Sequence, residues 1–332
     1  MGIIQNTNNQ AFITVLHLKK QFDDVAAVND ISFNVNKGEL FGFLGPNGAG
    51  KTTTINMLTG LARPDKGKIT IAGHECSINP KAAQHLIGVV PDESNLYPEL
   101  TGYDNLCFCA SLYGIHKNER QVRAKNLLAD FGLKEAANRK FSGYSKGMKR
   151  KLTIAAGIIH NPPILFLDEP TTGIDVASAR QIRNLIRKLH NDGTTIFLTT
   201  HYIEEAERLC ERIAFIVNGK IVENQTVNNL LEPVKDKKVM RLEIEGGEEK
   251  LTSKLKEKFP DYEFNQTNAR YITVESEKPI NIGPLVRYIE DCGIWIMEAR
   301  RIKPSLEEVF VNITGIKIDE MKNGKEKAGE EK

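Results

Sequence analysis

Long apolar runs are missing from this chain of 332 residues. The longest candidates, such as Leu152–Ile159, fall far short of the roughly 20 residues that span a bilayer. Apolar residues at 40% and charged residues at 27% instead describe an ordinary soluble globular protein. An excess of either charge is missing too. The formal net charge is +2, which argues against bulk attraction to nucleic acid or anionic lipid. Cysteine is sparse: five residues, at 76, 107, 109, 210 and 292, odd in number and scattered. Reduced thiols in a cytosolic protein are expected rather than a disulfide framework. Cys107-x-Cys109 has a metal-like spacing but falls in a segment predicted helical, where residues two apart point to different faces, and no second ligand pair accompanies it. The N-terminal stretch has no basic start followed by an apolar block, so no signal peptide is expected. Asn6 stands where a myristoylation motif needs Ser or Thr.

What is present centres on Gly45-Pro-Asn-Gly-Ala-Gly-Lys-Thr-Thr53. The pattern Gly45-x4-Gly50-Lys51-Thr52 is that of a phosphate loop, and its flanks suit it. Glu39–Leu44 is an apolar stretch predicted to be a buried strand. Thr54–Gly60 is a helical run with glycine where a C-cap belongs. Strand, glycine loop and helix turn backbone N–H groups and a positive helix end toward the phosphates of a nucleotide. Lys51 then lies against the β- and γ-phosphates, and the Thr52 hydroxyl ligates Mg2+.

Along the chain, residues 12–18 and the alternating Ile31-Ser-Phe-Asn-Val35 predict strands, after a polar lead. Phe22 precedes the glycine loop by a distance at which an aromatic stacks on adenine; a buried core Phe is the equal alternative. Two more strands are predicted at 69–72 and 86–90. Helical character takes over near 93. Thr101-Gly-Tyr-Asp104 opens a helix as a capping box, with Leu106, Ala110 and Tyr113 on one stripe. Glu119–Phe131 is a second helix, closed by Gly132. A helical subdomain over about 93–160 follows from this. Ser145 begins the next helix with Lys146 and Gly147, a small-residue lead that exposes N–H groups and by itself implies only capping. Ile164-Leu-Phe-Leu-Asp168-Glu169 is a buried strand delivering two carboxylates to its C-terminal end, where α/β sheets bind ligands. Asp168 suits Mg2+, directly or through water, and Glu169 suits deprotonation of an attacking water. Gly173-Ile-Asp175 opens a helix at 176–190, and Thr194–Thr200 is another core strand ending at His201. A lone histidine is usually structural, but this one follows a core strand running beside the Asp168 strand, where a contact with the γ-phosphate or the lytic water is expected. Residues 213–222 predict a hairpin on Asn218-Gly219.

Taken in order, these pieces resemble the nucleotide-binding subunit of an ATP-binding cassette (ABC) transporter over residues 10–225. They are similar in particular to the subfamily that pairs with separate permeases and exports drugs, lipids, polysaccharides or sodium. The resemblance implies an α/β phosphate-loop NTPase cassette, with a mixed sheet core and a helical subdomain, over residues 1–230. It implies ATP and Mg2+ as ligands, with Phe22, Val28, Asn47, Gly48, Ala49, Gly50, Lys51, Thr52 and Thr53 on the nucleotide. Lys51, Glu169 and His201 become catalytic, and Thr52, Asp168 and Asp92 serve the metal. Tyr144-Ser-Lys-Gly-Met148 stands at the signature position, so Ser145, Lys146 and Gly147 act in trans on the partner's ATP within a head-to-tail homodimer. Asp175 lies in the loop that crosses that interface. The register with Met148–Leu152 favours Ser145 over the neighbouring Ser142-Gly143. The resemblance further implies a permease partner docking around 93–115 and a place on the cytoplasmic face of the membrane, with no nucleic acid partner expected. Two departures stand out: Asp92 where glutamine is usual, and Lys146 where glycine is common. The rival reading is a soluble cassette ATPase acting on nucleic acid or ribosomes. A single cassette, near-neutral charge and no basic stripe with interleaved aromatics count against it.

From about 234 the composition turns charged, with Val234–Lys238 as a junction. Strands at 239–245, 262–265, 270–274 and 294–300, with helices at 249–259 and 284–292, give the order βαββαβ. That order predicts a small α+β, ferredoxin-like domain over 234–316. It ends in a capped helix at 304–315, and the whole resembles the accessory domain of the same subfamily. A regulatory or dimer-stabilising role is expected of it. Residues 317–332, rich in lysine and glutamate, are expected to be disordered.

Overall fold

The structure is a computed structural model describing residues 11–235, 238–245, 251–268, 270–302, 305–316 and 321. The polar lead and, apart from Met321, the tail at 317–332 lie outside the described residues. The chain divides into two compact units, residues 1–226 with 313–332, and residues 227–312.

The first unit holds two sheets. Strands β1 (Ala11–Phe22) and β2 (Val25–Asn36) pair antiparallel and join β4 (Lys66–Ile71) and β5 (His74–Glu75) in the order β2-β1-β4-β5. Strand β3 (Leu40–Leu44) belongs to the other sheet. There it lies with β6 (Ile87–Val90), β7 (Ile164–Asp168), β8 (Thr195–Thr200), β9 (Arg212–Val217) and β10 (Lys220–Thr226), in the order β10-β9-β3-β8-β7-β6. The neighbours from β9 to β6 run parallel, and β10 returns antiparallel through Asn218-Gly219. Both turn residues have positive φ, 47° and 72°, as a two-residue hairpin requires. Every residue of β3, β7 and β8 is buried. Parallel strands covered on both faces read as unbroken apolar runs, which is why these were the clearest strands in the sequence. Strands β1 and β2 are longer than the 12–18 and 31–35 expected. Their register shifts, and His17 and Asp30 turn to φ 50° and 63°; each bulge breaks the two-residue alternation on which the expectation rested.

Helices α1 (Lys51–Leu58), α2 (Gly102–Leu112), α3 (Lys117–Asp130), α4 (Lys146–Ile158), α5 (Val176–Asn191) and α6 (Ile203–Leu209) complete the unit. The capping box of α2 is present: Asp104 N–H donates to Thr101 Oγ1 at 3.0 Å, and the Thr101 hydroxyl donates to the Asp104 carboxylate at 2.6 Å. Leu106 and Ala110 are buried as the stripe predicted, whereas Tyr113 is part-exposed at the helix end, stacked 3.6 Å from the ring of His160. Among the described residues no helix is long and apolar enough to cross a membrane.

Five phenylalanines bind the two sheets. Phe33 of β2 lies against Phe41 and Phe43 of β3 and Phe197 of β8, and Phe166 of β7 meets Phe197, with ring centroids 5.5 to 5.9 Å apart. Such ring pairs add to the area they bury. The cluster lies under β3, β7 and β8, the strands whose C-terminal ends carry the candidate site.

In the second unit, α7 (Val227–Lys235) precedes β11 (Lys238–Glu245), α8 (Leu251–Lys258), β12 (Glu263–Asn268), β13 (Tyr271–Ser276), α9 (Ile282–Asp291) and β14 (Trp295–Ile302); α10 (Leu306–Thr314) follows in the chain. The four strands form an antiparallel sheet in the order β12-β13-β11-β14, and the sequence of elements after α7 is the expected βαββαβ. Leu242, Ile244, Phe264, Ile272 and Val274 of the sheet pack on Leu251, Leu255, Leu285 and Ile289 of the two helices.

Phe197→Ala removes the ring common to most of these aromatic contacts. It is expected to lower the unfolding free energy of the first unit by about 3–5 kcal/mol, read from chemical denaturation followed by circular dichroism. A loss below about 1 kcal/mol would show that the cluster does not bear on stability.

Candidate active site

The phosphate loop fills the gap between β3 and α1. Gly50 is the N-cap of α1 at φ 102°, and a Cβ there would lie 2.3 Å from the Ala27 carbonyl oxygen; at Gly45 a Cβ would lie 2.1 Å from that of Ile216. Only glycine allows this backbone both its left-handed turn and its close approach. Lys51 opens α1 and is 6% exposed. Its ammonium donates to the Gly45 and Pro46 carbonyls at 2.8 and 3.1 Å and stands 3.2 Å from Glu169 Oε1. At that distance the ammonium balances the charge on Oε1. Asn47 is half-buried and Gly48 exposed at the loop's tip, Ala49 is buried, and Thr53 follows Lys51 and Thr52 in the first turn of α1.

Strand β7 brings Asp168 and Glu169 to the same place. Asp168 is buried and accepts from the hydroxyls of Thr199 and Thr52. Burial pushes its carboxyl above the usual range against the pull of those two bonds. Glu169 is 7% exposed and takes the left-handed conformation at φ 48°. That conformation is costly for a residue with a side chain and persists where the surroundings over-determine it. Here its N–H faces Thr199 O and Oγ1 at 3.1 and 3.2 Å, and its carbonyl accepts from Thr172 N–H at 3.2 Å. The Thr172 hydroxyl and His201 Nδ1–H both donate to Oε2, at 3.0 and 2.8 Å. Burial opposes the Glu169 charge, but the His201 bond and the Lys51 charge outweigh it and lower the carboxyl from 4.5 to about 2.

Strand β8 supplies His201, directly after Thr200. Its neighbour below is a residue the sequence did not announce: Glu205 of α6, buried, accepting from the hydroxyls of Thr171 at 2.7 Å and Thr200 at 3.0 Å. The available signal was a carboxylate among Ile203, Ala206 and Leu209 on the buried face of α6. Arg150 of α4 is a correction: Lys149-Arg-Lys151 reads in the sequence as a short basic cluster on a solvated or subunit-contacting face, yet Arg150 is buried; it donates to the carbonyls of Pro91, Asp92 and Glu169. The Asp92 carboxylate stands 3.5 Å from the same guanidinium.

Lys51, Thr52, Asp168, Glu169 and His201 thus converge, at the C-terminal ends of β3, β7 and β8. Thr52 and Asp168, hard oxygen donors sharing a hydrogen bond beside the anion loop, fit Mg2+. That ion is usually held by one or two carboxylates with substrate phosphates, and among the described residues no group of three His, Cys, Asp or Glu forms a metal cage. Phe22 is 50% exposed at the end of β1, with the Lys20 ammonium 5.2 Å from its ring, which removes the core alternative. Val28 is 1% exposed and packs in the core cluster with Ala49 of the loop.

Ser145 caps α4, accepting from Met148 N–H at 3.3 Å, with Lys146 exposed beside it. Among the described contacts neither reaches the Lys51–Glu169–His201 cluster. Gly147 is buried, and a Cβ there would meet Ser178 Oγ at 2.3 Å. Asp175 caps α5 by accepting from Ser178 N–H at 2.9 Å. The signature segment and the Asp175 loop are therefore packed together within one subunit.

Fold and site together define a phosphate-loop cassette ATPase. The comparisons with known proteins specify which. The family profile for ABC transporter matches residues 28–172. The chain is 35% identical to the linearmycin resistance ATP-binding protein LnrL of Bacillus subtilis over 301 residues, 90% of this chain and 97% of that one. It is 35% identical to the daunorubicin/doxorubicin resistance ATP-binding protein DrrA of Streptomyces peucetius, over 98% and 99% of the two chains. With a Nod factor export ATP-binding protein I of Bradyrhizobium diazoefficiens it shares 37% identity, over 95% and 99%. Among solved structures it resembles the ATP-binding cassette MJ0796, a dimer in a post-hydrolysis state with ADP and phosphate. That match has a TM-score of 0.60 at 27% identity and covers 65% of this chain and 98% of the other. The chain belongs to the ATP-binding subunits of ABC transporters, and it is an ATPase of that family.

Because the Glu169 carboxyl is lowered in the fold, its charged form stabilises the protein above pH 4.5, and that contribution is lost as pH falls from 4.5 through about 2. In His201→Ala the largest favourable partner is gone, so Glu169 is expected to titrate at higher pH, measured by carbon NMR of labelled glutamate. An unchanged titration would show that His201 does not hold the charge.

Proposed function

We propose that this chain powers an exporter by hydrolysing ATP at two composite sites in a head-to-tail homodimer, on the cytoplasmic face of a membrane, through a separate permease. The observation that carries the reading is the buried Lys51–Glu169–His201 cluster beside Thr52 and Asp168. Lys51 holds loop carbonyls and the Glu169 charge in place of an anion; triphosphate oxygens, with their higher charge, draw the ammonium toward the β- and γ-phosphates. Glu169 then loses part of what keeps it weakly basic, so it becomes a better acceptor for the proton of an attacking water once nucleotide is bound. His201 holds that carboxylate in line. Phe22 stacks on the adenine, and Asn47, Gly48, Ala49, Gly50 and Thr53 contribute loop N–H groups and helix-end field to the phosphates. Mg2+, held by Thr52 and Asp168, supplies charge neutralisation on the phosphate oxygens. Ser145, Lys146 and Gly147 reach the γ-phosphate of the partner subunit, with Asp175 at the same seam. The exposed start of α4 and the 13-residue length of that helix suit an anion arriving from outside.

Relatives are named for resistance to linearmycin and to daunorubicin/doxorubicin and for export of Nod factor. We assign cargo recognition to the permease, which docks around residues 93–115, where Tyr97, Phe108, Leu112 and Tyr113 are exposed. Residues 234–316 are assigned a regulatory or dimer-stabilising role.

Glu169→Gln keeps the shape of the site and removes the base. It is expected to bind ATP, accumulate as a dimer on size-exclusion chromatography and lose hydrolysis by at least about a hundredfold; normal turnover would refute the assignment. The wild-type protein is expected to copurify with detergent-solubilised membranes rather than with ribosome pellets. The same preparation lacking residues 234–332 should differ in dimerisation, ATPase rate or coupling, and no difference in any of the three would remove the accessory role.

A further inference from the structure

Arg150 lies five residues after Ser145 on α4 and is 7% exposed. A guanidinium is a planar fork of five N–H donors that stays charged, and burying it is tolerated only when its donors and its charge are both answered. Here the answers come from two other segments. Nη1 donates to the carbonyl of Pro91, and Nη2 donates to those of Asp92 and, at 3.3 Å, Glu169. The Asp92 carboxylate, 3.5 Å from Nη2, supplies a counter-charge from the segment that follows β6.

The contact with Glu169 falls on a residue under strain. Glu169 stands at φ 48°, and its N–H is held by Thr199, a hold from the adjoining strand of the sheet. Its carbonyl is held by Thr172 N–H and by Arg150. The Arg150 bond is the one that arrives from α4, whose cap Ser145 and first residue Lys146 are exposed. The same side chain therefore reaches the signature helix, the loop at 91–92 and the main chain of the acid.

We propose that Arg150 is a positioning residue that fixes the Glu169 main chain in its left-handed conformation and ties it to α4, with Asp92 as its counterion rather than a ligand of the metal. The proposal rests on the reading of Glu169 as the base. It gives Asp92 a use that glutamine cannot serve: an acid here neutralises a buried cation, whereas a neutral amide leaves the guanidinium without that charge. A shift of α4, on meeting the second nucleotide, is passed by a rigid fork to the carbonyl of Glu169 and to the loop at 91–92 together.

The test uses the full chain with Arg150→Lys, Arg150→Gln, Asp92→Asn and, as reference, Glu169→Gln. A lysine keeps the charge but gathers its donors on one nitrogen and lacks the planar fork that spreads them over the carbonyls of residues 91, 92 and 169. Arg150→Lys is expected to lower kcat by tenfold or more, as small misplacements of a reacting group do, while affinity for a fluorescent ATP analogue stays within about threefold. In the nucleotide-free protein the Tm loss from Asp92→Asn should shrink by at least about half in the Arg150→Gln background, because the two share one contact. Mn2+ affinity in the presence of a non-hydrolysable ATP analogue should change by less than about twofold in Asp92→Asn, against the ten- to hundredfold typical of a lost contact in a metal site. Wild-type kcat in Arg150→Lys would overturn the positioning role, and a tenfold loss of Mn2+ affinity in Asp92→Asn would overturn the counterion role. If Glu169→Gln is inert while Arg150→Lys turns over normally, this inference fails and the base assignment stands; if Glu169→Gln turns over normally, the base assignment itself fails.

Discussion

A buried carboxylate held between a buried ammonium and an imidazole is the interaction on which the rest depends. Lys51 and Glu169 are both almost wholly removed from water, and neither is tolerable alone in that setting. Their 3.2 Å approach, with His201 2.8 Å from the other carboxylate oxygen, requires three chain segments to end at one point. A parallel sheet meets this requirement directly, because β3, β7 and β8 all run the same way and finish at the same edge. The order β3-β8-β7 sets the loop that carries Lys51, the strand end that carries His201 and the strand end that carries Glu169 side by side.

That arrangement is only as exact as the layer beneath it. Charged groups held within tenths of an ångström need rigid support, and here the support is aromatic and aliphatic. Phe33 brings the antiparallel sheet onto the parallel one, and Phe197 lies among the rings of both. Glu205, locked between the hydroxyls of Thr171 and Thr200, ties the segment after Glu169 to the end of β8. Lys51, bonded to its own loop, keeps the two buried charges matched.

Much of this was legible in the sequence because it depends on neighbours in the chain. A glycine loop needs its glycines at fixed intervals, a buried parallel strand is an unbroken apolar run, and a capping box occupies four consecutive residues. The convergence of Lys51, Asp168, Glu169 and His201 followed from strands recognisable one at a time. What was not legible depends on residues distant in sequence. Nothing near Arg150 indicates that it reaches Pro91 and Glu169, 59 and 19 positions away. The Thr199 hydroxyl on Asp168 is a cross-strand contact with no local signature, and the bulges in β1 and β2 conceal half of each strand from an alternation test. The burial of Val28 and the exposure of Phe22 likewise come from packing that local sequence does not mark.

Gly147 leaves no room for a methyl group between the head of α4 and Ser178, and Ser178 in turn anchors the carboxylate of Asp175. The head of α4 and the Asp175 loop are thus cast as one solid piece. Such a piece turns as a body or not at all. A displacement of the head of α4 is therefore a displacement of the Asp175 loop, and a side chain added at 147 would disturb both, whereas the solvent-facing place beside it can carry a lysine at no cost to the casting.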